Sequence, residues 1–319
     1  MNRIPRRIIR TVDPTLQNSR VQVDVKRGYS KQLMFQLFLG CSGWSHEAWK
    51  GKFYPSNLDS SSWLNYYSKI FNFVEIDSSY YIIPDRLIVK NWYRKTPISF
   101  KFAAKFPRVI THDKMFANVK DELNHFLESM RELGEKLLCL VIQMPPSVKI
   151  TEGLALLDRF LPRLDPTFRY AVEVRNSSWF QSQAYDFFAR NNLCMVWSRL
   201  QELQTPPVVT TDFVYLRLIG DRSTDNSVEV VDDRKDELQY WISKINQISL
   251  HDETANRVRN VIVSATNSFT GFGPNTVNTV RQAIGLQELK WVEKSSIQKR
   301  LSEYENPPMQ SRLHDFSGE

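Results

Sequence analysis

The 319-residue chain is poor in the features that announce a function outright. It has three cysteines, Cys41, Cys139 and Cys194, far apart, odd in number and each inside an apolar run, with no CxxC among them. That argues against a disulfide framework and against a cysteine-built zinc site, and it fits a reducing, cytoplasmic compartment where cysteine serves as a small buried apolar residue. Histidine is scarce as well: the five present form no HxH or HExxH pair, so the usual metal-ligand spacings are missing and no metal residues are assigned. No GxGxxG follows a strand, and neither GxxxxGK[ST] nor GxSxG occurs, which removes the main support for dinucleotide, P-loop and serine-hydrolase readings. No apolar stretch approaches the ~20 residues of a membrane span; the longest, Leu137 to Met144, is interrupted by Gln143. The opening MNRIPRRIIR lacks the apolar core of a secretory signal, although its arginines are like those of an organelle transit peptide. No cofactor is identified.

Charge is present in excess. The net charge is +7 and the pI about 9.2, which favours an anionic partner, whether a small molecule or a nucleic acid. Residues 1–36 hold Arg3, Arg6, Arg7, Arg10, Arg20, Lys26, Arg27 and Lys31 against Asp13 and Asp24. This segment reads as a basic, flexible extension, or as an arm that touches nucleic acid. Residues 289–319 read as a polar tail.

From residue 37 to 288 apolar runs alternate with amphipathic stretches. The strand candidates are Leu37–Trp44, Phe73–Tyr81, Ser99–Phe106, Leu138–Pro145, Tyr170–Asn176, Leu193–Arg199, Phe213–Gly220 and Asn260–Asn267, with helical stretches after most of them. Such alternation predicts a parallel sheet, and eight strands predict closure into a TIM-like (β/α) barrel. Gln201–Asp212 has no helical pattern and reads as a loop replacing one barrel helix.

Side chains two apart share a face of a strand, and the outer face of a barrel strand must be apolar where helices cover it. Charges inside these strands are therefore expected to point inward. The inward set is Glu75 and Asp77, Lys101 and Lys105, Gln143, Glu173 and Arg175, Arg199, Arg217, and Asn267 aligned with Val261, Val263 and Ala265. Five bases against three acids leave a surplus that predicts an anionic ligand such as a phosphate or carboxylate at the C-terminal strand ends, where such barrels build their sites. Glu75, Asp77 and Glu173 are the acid/base candidates, and His112, just after the third strand, is a fourth. Ser42, Trp44 and Tyr80 are expected at the pocket rim, where the aromatic rings could stack on bases or sugars. Trp49 and Phe53 read instead as a packed satellite core.

Seven segments then match a known family in order: GCSGWSHEAWKGKFYP (40–55), FVEIDSSYYIIP (73–84), FKFAAKFPRVITH (100–112), LVIQMPPS (140–147), EVRNSSW (173–179), VYLRLIGDR (214–222) and NSFTGFGP (267–274). Over residues 37–286 the chain resembles the domain of unknown function 72 family, also called YecE-like. The resemblance implies a TIM-like barrel and leaves the reaction open. That barrel has been likened to endonuclease IV-type repair enzymes, an analogy of fold. Ile219 and Ser268 stand where the family often carries histidine, which counts against transferring a metal site. Three readings follow: an enzyme of phosphoester chemistry, such as a phosphodiesterase-like hydrolase acting on a phosphorylated or nucleic-acid substrate; a non-catalytic nucleic-acid-binding protein; and a sugar-phosphate isomerase or aldolase-like barrel using Lys101 or Lys105 as a Schiff-base lysine.

Overall fold

The computed structural model describes residues 22–25, 29–32, 35–200, 203–220, 234–248, 250 and 257–291. Most of the basic extension and of the C-terminal tail lies outside the described residues. Within the extension, β1 (Gln22–Val25) and β2 (Tyr29–Gln32) pair as an antiparallel ribbon.

The barrel strands are β3 (Gln36–Ser42), β4 (Phe73–Ile76), β5 (Lys101–Lys105), β6 (Leu137–Gln143), β7 (Tyr170–Glu173), β8 (Leu193–Met195), β9 (Trp197–Leu200), β11 (Phe213–Leu218) and β12 (Asn260–Ala265), with the short β10 (Leu203–Gln204) turning back antiparallel on β9. The sheet runs β10-β9-β11-β12-β3-β4-β5-β6-β7-β8. Only Val196 separates β8 from β9, so they form one stave. Its lower half bonds to β7 and its upper half to β11, both parallel, and this closes the ring. The result is an eight-staved parallel barrel, as the alternation predicts. Residues 203–212 contain no helix, so this stretch does replace one barrel helix.

Helices α1 (Trp63–Ile70), α2 (Arg86–Lys95), α3 (Lys120–Arg131), α4 (Ile150–Phe160), α5 (Ser182–Arg190), α6 (Lys235–Ile248), α7 (Asn267–Thr270) and α8 (Gly273–Ala283) follow the strands. Asp85 caps α2 by accepting from the Leu87 amide at 2.7 Å. Among the described residues no helix is long and apolar enough to cross a membrane.

Two apolar layers share the strands. Larger side chains such as Trp197, Leu216 and Val263 face the helices, and Trp197 stacks on Trp241 of α6 at 6.2 Å. The interior is filled by a smaller set including Phe38, Phe73, Ala103, Cys139, Val141, Ala171, Cys194, Val196, Tyr215 and Ile262, a packed core with no channel through it. All three cysteines are buried. Trp49 and Phe53 are buried too, in an aromatic cluster with Tyr54, Tyr67 and Phe71 beside the first barrel strand.

Two parts of the predicted strand pattern shift. The run Phe73–Tyr81 leaves the sheet at Ile76 and turns as a short 3₁₀ segment, Ser78–Tyr80, which Ser79 ties to β5 through a 2.7 Å hydrogen bond to the Lys105 carbonyl. The last strand ends at Ala265, and Asn267 opens α7. In β12 it is Ile262 that faces the interior, whereas Val261, Val263 and Ala265 pack outward. Asn267 reaches the mouth from a helix start and not through strand parity.

Candidate functional site

The barrel interior turns polar at the C-terminal strand ends. Glu75 is fully buried on β4, and each carboxylate oxygen is doubly engaged. One accepts from Ser42 Oγ at 2.8 Å and Arg217 Nη2 at 2.8 Å; the other accepts from Tyr215 Oη at 2.6 Å and Arg217 Nε at 2.9 Å. Arg217 Nη1 donates to the buried Glu173, whose other oxygen accepts from Arg175 Nε at 3.0 Å and Nη2 at 2.9 Å. A Ser42/Tyr215–Glu75–Arg217–Glu173–Arg175 chain thus crosses the barrel from β3 to β7. Its charges compensate where isolated ones would be untenable.

Burial alone would push both carboxyls up. Arg217 and Lys105 outweigh it at Glu75, which lies below the usual range; Arg175, Arg217 and Lys105 pull Glu173 down to about 2. Arg217 is raised in turn: burial works against its charge, and Glu173 and Glu75 prevail.

Above this floor lies a pocket of about 360 Å³, lined by Ser42, His46, Asp77, Lys105, Arg175, Leu200, Arg217, Ile219, Gly220, Thr266, Asn267 and Ser268. Among the described residues Lys105 Nζ donates no hydrogen bond; it stands 5.2 Å from the centre of the Tyr80 ring. Burial, then Arg217, lowers its pKa to about 8, although Glu75 and Glu173 oppose the shift. Asp77 moves the other way: burial and the Glu75 charge raise it, against His46 and Lys105. Arg175 gives Nε and Nη2 to Glu173 and makes no hydrogen bond through Nη1 among the described residues.

Asp77 and His46 both lie against Gly43. Its φ of +79° is left-handed, and a Cβ there would lie 3.0 Å from both Asp77 Oδ1 and His46 Nε2. His46 Nε2 is 3.2 Å from the Ser42 carbonyl, its Nδ1 is 3.4 Å from Asn267 Nδ2, and its ring lies 4.4 Å from that of Trp49. Asn267 Oδ1 accepts from Trp49 Nε1 at 2.9 Å and from the Gly273 amide at 3.0 Å, so its orientation is fixed. His46 is a pocket residue that strand parity misses, because it lies in a loop; the signal was its place in the 40–55 motif.

Several expected residues do converge. Ser42, Asp77, Lys105, Arg175, Arg217 and Asn267 line the pocket, with Glu75 and Glu173 as its charged floor. Tyr80 and His112 meet at the rim edge to face, 5.4 Å apart. His112 Nδ1 is 2.8 Å from Thr111 Oγ1, and burial, Arg175 and Arg108 lower its pKa. Gln143 pairs in register with Glu173, and its buried Oε1 accepts no hydrogen bond among the described residues.

Three expected residues lie elsewhere. Lys101 has the right parity but begins β5; it pairs in register with Phe73 at the N-terminal end, and its Nζ donates to the Glu135 carbonyl at 2.9 Å. Arg199 shares its face with Trp197 and so points toward α6, where its charge partly opposes the burial that raises the Glu237 pKa. Trp44 packs edge to face on Trp92 of α2 at 5.2 Å and does not line the pocket. With Lys101 and Arg199 removed, three bases face three acids, and the expected basic surplus disappears. What distinguishes the pocket is how those charges are paired. Ile219 and Ser268 both line it. Among the described residues no three His, Cys, Asp or Glu side chains are grouped to hold a metal ion.

Barrel and mouth together define a TIM-like α/β protein with an ion-paired floor beneath a polar cup. The family model described as "Protein of unknown function DUF72" matches residues 38–300, and the chain belongs to that family. The UPF0759 protein YecE of Escherichia coli (strain K12) is 31% identical over 144 residues, 45% of this chain and 50% of YecE. The UPF0759 protein YunF of Bacillus subtilis (strain 168) is 27% identical over 162 residues, 47% of this chain and 54% of YunF. The chain thus spans about half the length of these curated relatives. A DUF72 family protein from Thermotoga maritima superposes with a TM-score of 0.65 at 26% identity, covering 77% of this chain and 98% of that one. One from Enterococcus faecalis gives 0.63 at 21%, covering 81% and 98%, a likeness of fold.

Proposed function

We propose that the mouth pocket is an active site that binds a small, oxygen-rich anion, a phosphate ester or a carboxylate, and performs acid–base chemistry on it. One observation carries this reading. The floor engages all three nitrogens of Arg217 and both carboxylates, yet among the described residues leaves Lys105 Nζ and Arg175 Nη1 without acceptors, in a pocket that Asp77 and His46 also line. Two cationic donors in one concave site suit an oxyanion. Glu75 and Glu173 are too fully engaged to move protons and serve to hold Arg217 and Arg175 in place. The acid–base role falls to Asp77, whose pKa burial and the Glu75 charge raise, with His46 as its partner and His112 at the rim. A pocket of about 360 Å³ is at the small end of ligand sites, which favours a metabolite over a nucleic-acid strand. The three buried cysteines support a cytoplasmic setting for this chemistry.

The test is thermal stabilisation of the purified protein by orthophosphate, glycerol 3-phosphate and pyruvate, repeated on Arg175→Ala and Asp77→Asn. Binding to the folded state raises the melting temperature with ligand concentration. At least one compound should stabilise the wild type, and Arg175→Ala should weaken it by about tenfold or more. Asp77→Asn should still bind. No stabilisation by any of the three, or equal binding by Arg175→Ala, overturns the proposal.

A further inference from the structure

We infer that Lys105 is a covalent centre: its Nζ forms an imine with an aldehyde or ketone that carries the anionic group bound by Arg175. This inference rests on the anion-binding reading of the same pocket and names its substrate class, a small anionic carbonyl compound.

The geometry requires more of Lys105 than charge complementation. The two buried carboxylates are already satisfied without it: Glu75 by Arg217, Tyr215 and Ser42, and Glu173 by Arg175 and Arg217. Its amine has no hydrogen-bond acceptor among the described residues, and it opens onto the pocket. A lysine retained only to bind an anion would do so best fully charged. Here burial opposes its charge and the guanidiniums of Arg217 and Arg175 add to that, while Glu75 and Glu173 only partly restore it, so its pKa falls to about 8. An appreciable fraction of the free amine, the nucleophilic form, is therefore present near neutrality.

The step balances with the groups present. The Nζ lone pair attacks the carbonyl carbon, the carbonyl π pair moves to oxygen, and that oxygen takes up the proton lost from nitrogen, giving a carbinolamine. Its hydroxyl then leaves as water on accepting a proton from Asp77, whose pKa is raised by burial and the Glu75 charge. The nitrogen lone pair forms the C=N bond. The iminium that results lies against the newly ionised Asp77 carboxylate, above Glu75 and Glu173. No oxidant, reductant or metal is consumed.

The experiment is borohydride trapping of the full chain with pyruvate and, separately, with glycolaldehyde phosphate, read by intact mass and peptide mapping. A reduced adduct adds the mass of the probe less one oxygen atom. Labelling should saturate and concentrate on the Lys105 peptide. It should rise as pH passes through about 8, ahead of the exposed lysines, and Lys105→Arg should abolish it. Lys105→Met supplies a second variant should the arginine perturb folding. Adducts spread over surface lysines with none favoured at Lys105, or unchanged in both variants, overturn the inference. Adding orthophosphate separates the two readings. Phosphate stabilisation without a Lys105 adduct sinks the imine and leaves anion binding standing. A Lys105 adduct that phosphate neither slows nor displaces keeps the imine and removes the anion reading.

Discussion

Replacing Arg217 with methionine should destabilise the protein in a strongly pH-dependent way. The guanidinium holds two buried carboxylates, Glu75 and Glu173, and removing it leaves both short of a partner. Breaking a buried ion pair from one side costs about 3–5 kcal/mol; for a chain of this size that lowers the melting temperature by about 5–8 °C. The sign with pH follows from the carboxyl at Glu173, held at about 2 in the folded protein against an ordinary value of 4.5. A depressed carboxyl stabilises the fold above its unfolded pKa, and that contribution disappears as pH falls through the folded value. It amounts to about 3 kcal/mol at neutrality, and Arg217, after Arg175, is the source of much of it. The variant should therefore lie far below wild type at pH 7, with the gap narrowing toward pH 4 as its carboxyls take up protons. Urea unfolding at both pH values measures the gap. The triple substitution Glu75→Gln, Glu173→Gln and Arg217→Met should regain much of the lost stability, because no uncompensated charge is left. A gap below about 1 kcal/mol at pH 7, or one that stays constant with pH, would refute the reasoning.

Lys105→Met should raise stability at pH 7 by about 1–3 kcal/mol. Between about 8 and 10.5 the unfolded chain binds more protons than the folded one at this site, so wild type gains stability with rising pH there and the advantage of the variant closes; urea unfolding from pH 7 to 10 checks it. Ser42→Ala and Tyr215→Phe each remove a donor from the buried Glu75, and each should cost about 1–3 kcal/mol by the same assay. Gly43→Ala places a Cβ at positive φ against Asp77 and His46; it should cost about 1–2 kcal/mol and weaken phosphate binding in a thermal-shift titration. Lys101→Met and Arg199→Met should leave phosphate binding at the wild-type level, since neither residue lines the pocket.

Most of the mouth was legible from strand parity, and the failures have physical causes. Glu75, Asp77, Lys105, Glu173, Arg175 and Arg217 could be assigned inward because a charge on the helix-covered face of a strand has no partner there. Lys101 obeyed the same parity yet lies at the wrong end, because parity gives the face of a strand and not its tier. In the 193–200 stave both faces are apolar, so parity alone could not choose between them. Size would have chosen: Cys194 and Val196 fit the crowded interior, whereas Trp197 needs the space beside α6 and carries Arg199 out with it. β12 posed the same ambiguity, with Ile262 inside and Val263 outside. His46 was out of reach because it owes its place to the turn at Gly43 and to Asn267, a contact 221 residues apart in sequence.

Anion binding and imine formation both require Lys105 to be an open donor of lowered pKa facing the pocket. The direct measurement is an NMR titration of the lysine side-chain amines with and without orthophosphate, assigned with Lys105→Arg. One lysine should titrate near 8 and move upward on phosphate addition, and its signal should vanish in the variant. If every lysine titrates near the ordinary ~10.4, or the Lys105 signal is indifferent to phosphate, the account is contradicted.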